Sequence, residues 1–398
     1  MNDSGVKIEV HLIQNFAPSN LNRDDTGQPK SATFGGFRRA RISSQCEKRS
    51  TRRQGRMGEI LEKYGAVRTR QLMVEIAKKI DMQDEPTDAT LKTVISVFES
   101  GGIEKSTEAS KNTTKILVFV DRDALPQLLR AFEDNWKDLT EAKKEALEAA
   151  RDRVGRILFE AVKAPDIALF GRMLEVKRTT PFGKYNMRVD AACQVAHPIS
   201  THKVDMEMDF YTAVDDLNPE AETGAGMMGV VGFNSACYYR YALVDRDQLA
   251  RNLARKTERT QGQWTEELTA DDYTAADKVI RAFLEAMVYA IPTGKQNSFA
   301  AQNLPSFGLF VRRQGGVPVS LANAFATPVR PTRNDDDLVG LSVAALTRHW
   351  DELKKVYGEQ GVQAAACFHV GQEGHLNALS GCDKESMEKA IDAVMEGV

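Results

Sequence analysis

Two adjacent carboxylates, Asp24 and Asp25 in "NRDD", are the first candidate for chemistry. Such a pair can hold a divalent metal for phosphodiester cleavage, although adjacent acids in a loop more often form turns or meet arginines. Cys193, His197 and His202 are zinc-type donors, but their spacing fits no compact zinc module and no fourth ligand stands out. "TGK" at Thr293–Lys295 ends like a phosphate loop. Tyr289 stands where the first glycine belongs, and Gln296 replaces the magnesium-binding Ser or Thr. A nucleoside-triphosphate site is therefore rejected, while contact of Lys295 and its loop with a phosphate backbone stays open. "GAGMMG", Gly224–Gly229, matches G-x-G-x-x-G, but a β-type run follows where a dinucleotide site needs a helix. A hairpin tip is the better reading. No Ser-His-Asp or Cys-His constellation can be assembled.

The strongest pattern is cationic. "RRARISSQCEKRSTRRQGR", Arg38–Arg56, has Glu47 as its only acid, in a chain whose net charge is −3. Like charges four apart on a helix repel, so a sustained single sign lowers stability unless a polyanion neutralises it. A helix N-terminus adds unpaired N–H groups that suit phosphates. The bland alternative is a solvated charged face.

The elements that must position these groups follow from patterning. The chain has 398 residues, 42% hydrophobic and 27% charged, which is ordinary for a soluble protein of two or three domains. No apolar run is long enough for a membrane span, and the N-terminus does not read as a signal peptide. Five scattered cysteines fit a reducing cytosol, so a cytoplasmic location is expected. Val6, Ile8, Val10 and Leu12 alternate with polar residues as in a half-buried strand. A long loop spans 15–36. Ser44 to Glu47 matches a capping box, predicting a helix from Ser44 to about Lys63 with Lys48, Arg52 and Arg56 on one face. Residues 68–164 read as a mostly helical insert with a short strand at Lys115–Val120. "DIALFGRM" reads as a strand, Val204–Val214 and the run after it as a long hairpin, and Phe307–Val311 and Pro318–Ala322 as strand-like segments. The class is α+β.

The segment "NLNRDDTGQPKSATFGGFRRARISSQCEKRSTR" resembles the backbone (CasC) subunit of the type I-E CRISPR surveillance complex Cascade. So do "DIALFGRM", "VDAACQVAHPISTHKVDMEMDFYTAVDDL", "CYYRYALVD" and "PVSLANAF", in family order. The resemblance implies a modified RRM or ferredoxin-like palm, a helical finger insertion and a projecting β-hairpin thumb. Its segments would be palm at 1–66, 166–199 and 241–398, fingers at 67–165 and thumb at 200–240. It implies copies stacked on a CRISPR guide RNA, with target DNA and other Cascade subunits as further partners, and no cofactor, metal, membrane or catalysis. Carried over, Arg23, Ser43, Gln45, Lys48, Arg49 and Arg52 would contact the guide, and Met173 would wedge at the palm. Phe210, Tyr211 and Thr212 would form the thumb wedge, where the family commonly has Trp-Phe-Thr. Lys137, Lys143, Lys144, Arg151 and Arg153 on the insert would draw in duplex DNA or simply lie on a solvated helix. Type III relatives cut RNA with a carboxylate in the corresponding loop, so a metal-dependent ribonuclease using Asp24 or Asp25 is the alternative.

Overall fold

The computed structural model describes residues 5–107, 112–213, 227–332 and 337–397. The chain divides into two compact units. One comprises Met1–Gly58, Gln194–Asp245 and Ile280–Val398, the other Glu59–Cys193 and Arg246–Val279. These divisions differ from the five segments set out above, because the second unit continues past the insert to Cys193 and takes in Arg246–Val279.

The first unit is built on an antiparallel sheet. Its central strand, Val6–Ser19, pairs with Phe307–Gln314 on one side and with the long strand Met227–Asp245 on the other. Val362–His369 extends it beyond Phe307–Gln314, and Ile199–Ser200 adds to the far edge of the long strand. The central strand is not half-buried as its alternation suggests. Ile8, Val10 and Leu12 are buried, but so are Lys7, Glu9, His11 and Gln14. Glu9, His11 and Gln14 each meet an interior partner. Glu9 pairs with Arg313 at 2.6 Å, and His11 Nδ1 lies 2.9 Å from the Tyr239 hydroxyl. Gln14 donates to the Asn303 carbonyl.

The same polar face explains why Pro318–Ala322 is not a strand. The Val319 N–H donates to Glu9 Oε1 at 2.6 Å, and the Leu321 N–H donates to the Tyr239 hydroxyl at 2.9 Å. Buried side chains take the hydrogen bonds that a neighbouring strand would have taken. Leu321 and Phe325 then cover Ile13 together with Val343, Leu346 and Trp350 of the helix Leu338–Tyr357.

The second unit is mainly helical, as the insert's patterning predicts. Leu72, Ile76, Val94, Phe98, Leu128, Phe132 and Leu158 share one core. Thr87 caps the helix Asp88–Gly101 through the Thr90 N–H, and Gly102 at φ +111° closes it. A short strand pair, Ala66–Thr69 with Val118–Asp121, sits beside the helices. "DIALFGRM" is a correction: Pro165–Phe170 is a helix, with Pro165 at its first turn and Gly171 at φ +77° ending it. A short apolar run fits either state, and the proline at the helix start decides it.

Candidate nucleic-acid interface

The basic stretch begins on a small hairpin, Ser31–Phe34 with Phe37–Ala40, and enters a helix at Ser44. The helix cap is not the expected one. Ser43, not Ser44, is the N-cap, and its hydroxyl accepts from the Cys46 N–H at 3.3 Å. Glu47 does not reach back. It lies one position too far along and turns inward, fully buried, to pair with Arg240 of the long strand. Arg240 also donates to Gln14 Oε1 at 2.5 Å and to the Met287 carbonyl at 2.6 Å. Thr51, one turn after Glu47, is buried beside it. The expected long helix is also interrupted: the first helix is Ser44–Thr51 and a second runs Gly55–Tyr64, opened by Gly55 at φ +45°. Arg56 therefore leaves the face of Lys48 and Arg52, and pairs with Glu285 at 3.2 Å.

With Glu47 and Thr51 facing in, the helical repeat turns Gln45, Lys48, Arg49 and Arg52 away from the core. Gln45 and Arg49 are exposed, Lys48 and Arg52 half-buried. Not every cation of the stretch faces outward. Arg39 is fully buried and donates to the carbonyls of Ser200 and Phe325, a structural role.

The loop before this hairpin is held by two asparagines. Asn22 Oδ1 accepts from the Ser43 N–H at 2.8 Å, tying the loop to the helix cap. Asn20, fully buried, donates to the Gly27 carbonyl at 3.0 Å and to the Gly232 carbonyl at 2.9 Å. One side chain thus joins the loop tip to the base of the thumb strand. Arg23 projects from this loop and is exposed. Asp24 closes the turn. Its Oδ1 accepts from the Thr26 hydroxyl at 2.7 Å and from the Thr26 and Gln28 N–H groups. The Thr26 hydroxyl bond, then those backbone bonds and Lys30, hold its carboxyl below the usual range.

Arg23 and Arg49 line a common cleft of about 460 Å3, along with Asp24, Asp25 and Thr293–Gly294. The "TGK" loop comes to it by close backbone approach: a Cβ on Gly294 would stand 2.3 Å from the Leu21 carbonyl oxygen. Lys295 follows at φ +51°, half-buried, and Gln296 closes the loop onto the carbonyls of Pro292 and Ala301. Cys46 also lines the cleft, but burial and then Glu47 push its thiol up to about 11, so it is no nucleophile at neutral pH.

On the thumb, Glu207–Ala213 pairs with Met227–Asp245. The expected strand start at Val204 lies outside it, and Val214 and the first half of "GAGMMG", 224–226, fall outside the described residues. Phe210 stands opposite Val230, Thr212 opposite Met228 and Tyr211 opposite Gly229. Phe210 is 79% exposed and shares its face with Met208, Met228 and Val230, all exposed. Tyr211 lies on the other face, over the bare backbone of Gly229, where a Cβ would come within 2.4 Å of its ring. The pairing separates the two rings: Phe210 is the more open, and Tyr211, 40% exposed, braces the hairpin.

Met173 belongs to the second unit. Arg172 beside it is buried and donates to the carbonyls of Met187 and Leu158, while Met173 is 76% exposed. Core packing does not account for it. On the insert, Lys143 and Arg153 pair with Asp138 and Asp134, and Arg151 lies near Asp152, which fits a solvated face. Of the zinc-type donors, His202 Nε2 accepts from the Cys237 N–H and His197 bonds to Arg41. Among the described residues no group of three or more donors is suited to a metal. No helix among them is long and apolar enough to cross a membrane.

Residues 8–396 match the family described as CT1975-like protein. The chain belongs to the CT1975-like protein family. A solved chain described as "CRISPR RNA-guided surveillance complex, pre-nicking" is similar to it at 30% identity and a TM-score of 0.77, over 98% of this chain and 99% of that one. Another, described as "CRISPR RNA-guided surveillance complex", is 22% identical with a TM-score of 0.68 over 98% and 100%, and speaks for the fold alone. No curated protein matches. The resemblance to a Cascade backbone subunit and the α+β class are borne out. What sequence reasoning missed are the residues that place the grip: Asn20, Asn22, Arg240 and Gly294. The two asparagines stood inside the most specific motif, but their pairing with Gly27, Ser43 and the distant Gly232 follows no local spacing rule.

Proposed function

We propose that this chain is the guide-RNA-binding backbone subunit of a type I-E Cascade. It polymerises along the spacer of a CRISPR RNA, kinks it at regular intervals and presents it for pairing with target DNA. The observation that carries this reading is the outward turn of Gln45, Lys48, Arg49 and Arg52, next to a cleft that Arg49 shares with Arg23. Likeness to chains of CRISPR RNA-guided surveillance complexes supports it. A guide that must read any sequence has to be held by phosphates and sugars, leaving specificity to base pairing. The exposed Phe210 and Met173 are suited to unstacking bases, since stacking on an aromatic contributes about 1–3 kcal/mol per base.

Salt titration tests the grip. If each copy neutralises about four phosphates, log K falls with log salt at a slope near −0.7 per phosphate contacted on a single strand. Lys48→Glu is expected to flatten that slope and weaken binding alike for guides of different sequence. Unchanged affinity would remove the basic helix from the interface.

The subunit is not an enzyme in this reading. Asp24 uses its carboxylate to close its own turn, which supports a structural role. An assembled complex given matching RNA and magnesium is expected to leave the RNA intact. Periodic cuts that disappear in Asp24→Ala would establish the ribonuclease instead.

A further inference from the structure

One of the zinc-type donors has a position that metal binding does not explain. His197 Nδ1 lies 3.0 Å from Arg41 Nη1 and 3.3 Å from the backbone nitrogen of Ser44. Guanidinium and amide N–H groups only donate, so Nδ1 must accept from both. That requires a neutral ring with its hydrogen on Nε2. The backbone fixes this meeting: the Ile42 N–H donates to the Pro198 carbonyl at 3.0 Å, and Arg41 bridges to Ile199. The charged groups that act on the ring are Arg41, on its own bridge, and Lys30, at the end of the first loop. Both are cations. Partial burial, then Arg41, with Lys30 adding and the Ile42 contact opposing, hold the imidazole below its ordinary range.

Arg41 is absent from the contacts carried over by resemblance, yet its guanidinium is held one shared acceptor away from the first residue of the basic helix. A guanidinium carries five N–H donors, and one bond to His197 leaves others for a phosphate. We infer that neutral His197 is a positioning residue for guide binding, holding Arg41 against the start of the helix Ser44–Thr51 so that Arg41 and the Ser43–Gln45 segment meet the same stretch of backbone. The inference rests on the proposed RNA-binding role. Protonation would place a hydrogen on Nδ1, and the ring would then repel Arg41 and Lys30. Because the folded ring titrates below its usual range, the hold is complete at pH 7–8 and is lost only as pH falls through that lowered value.

The test measures binding of the full chain to a long oligouridine. His197→Ala is expected to weaken binding about tenfold at pH 7.5, the scale of one charged hydrogen bond. Arg41→Ala should do the same, and the double variant should add little, since both remove one unit. His197→Asn, whose Oδ1 can stand in for Nδ1, should bind like the parent and keep its affinity when a downward pH titration passes below the ordinary imidazole range and the parent weakens. Rescue by His197→Gln but not by His197→Asn would overturn the inference, because it would mean that Nε2 touches RNA directly. Parent-like binding by His197→Ala would also overturn it, provided Lys48→Glu weakens binding. If Lys48→Glu is silent as well, the failure lies with the RNA-binding role itself.

Discussion

Glu47→Ala is expected to lower the unfolding free energy by about 3–5 kcal/mol, the range for removing one partner of a buried ion pair. Arg240 would keep Gln14 and the Met287 carbonyl but lose its only carboxylate among the described residues, inside a fully buried site. Urea unfolding checks the size of the loss. The variant also separates two accounts of the basic helix. If RNA affinity depended only on local charge, deleting the one acid of the stretch would strengthen binding. If the pair seats the helix, binding should weaken even though the surface becomes more positive. Replacing both Glu47 and Arg240 by apolar residues of similar volume should recover much of the stability, since the desolvation penalty then disappears. A single variant as stable as the parent would show that the pair does not anchor the helix.

Asn20→Asp is the second large effect. The change is nearly isosteric, but the amide donates to two carbonyls, Gly27 and Gly232. A carboxylate there aims negative oxygen at two acceptors in a site with no exposure. The expected loss is about 3 kcal/mol or more, because a buried charged group is left without donors. Asn20→Ala should cost less, as it removes the donors without adding charge. Both variants release the Arg23 loop from the thumb strand, so weakened RNA binding should accompany the lower denaturation midpoint. A parent-like midpoint for Asn20→Asp would mean the loop is held by other contacts.

What was legible in the sequence is chemistry carried by local pattern. The single-sign run from Arg38 to Arg56, the helical repeats of the insert and the period-two thumb strand each encode their own surface, because charge repulsion and amphipathic spacing act between near neighbours. Those patterns, with the motifs around them, sufficed for the class and the family. They misplaced Glu47, the Pro318–Ala322 segment and "DIALFGRM". Glu47 fits a capping box by spacing, but Arg240, 193 positions away, turns it inward. Val319 and Leu321 have the composition of a strand, but Glu9 and Tyr239 take their N–H groups. The tertiary structure alone decided which cations face outward, which thumb ring is the more open and what brings Gly294 to the first loop. The physical reason is that a buried polar group must find its partner wherever the fold places one, and no local spacing records that address.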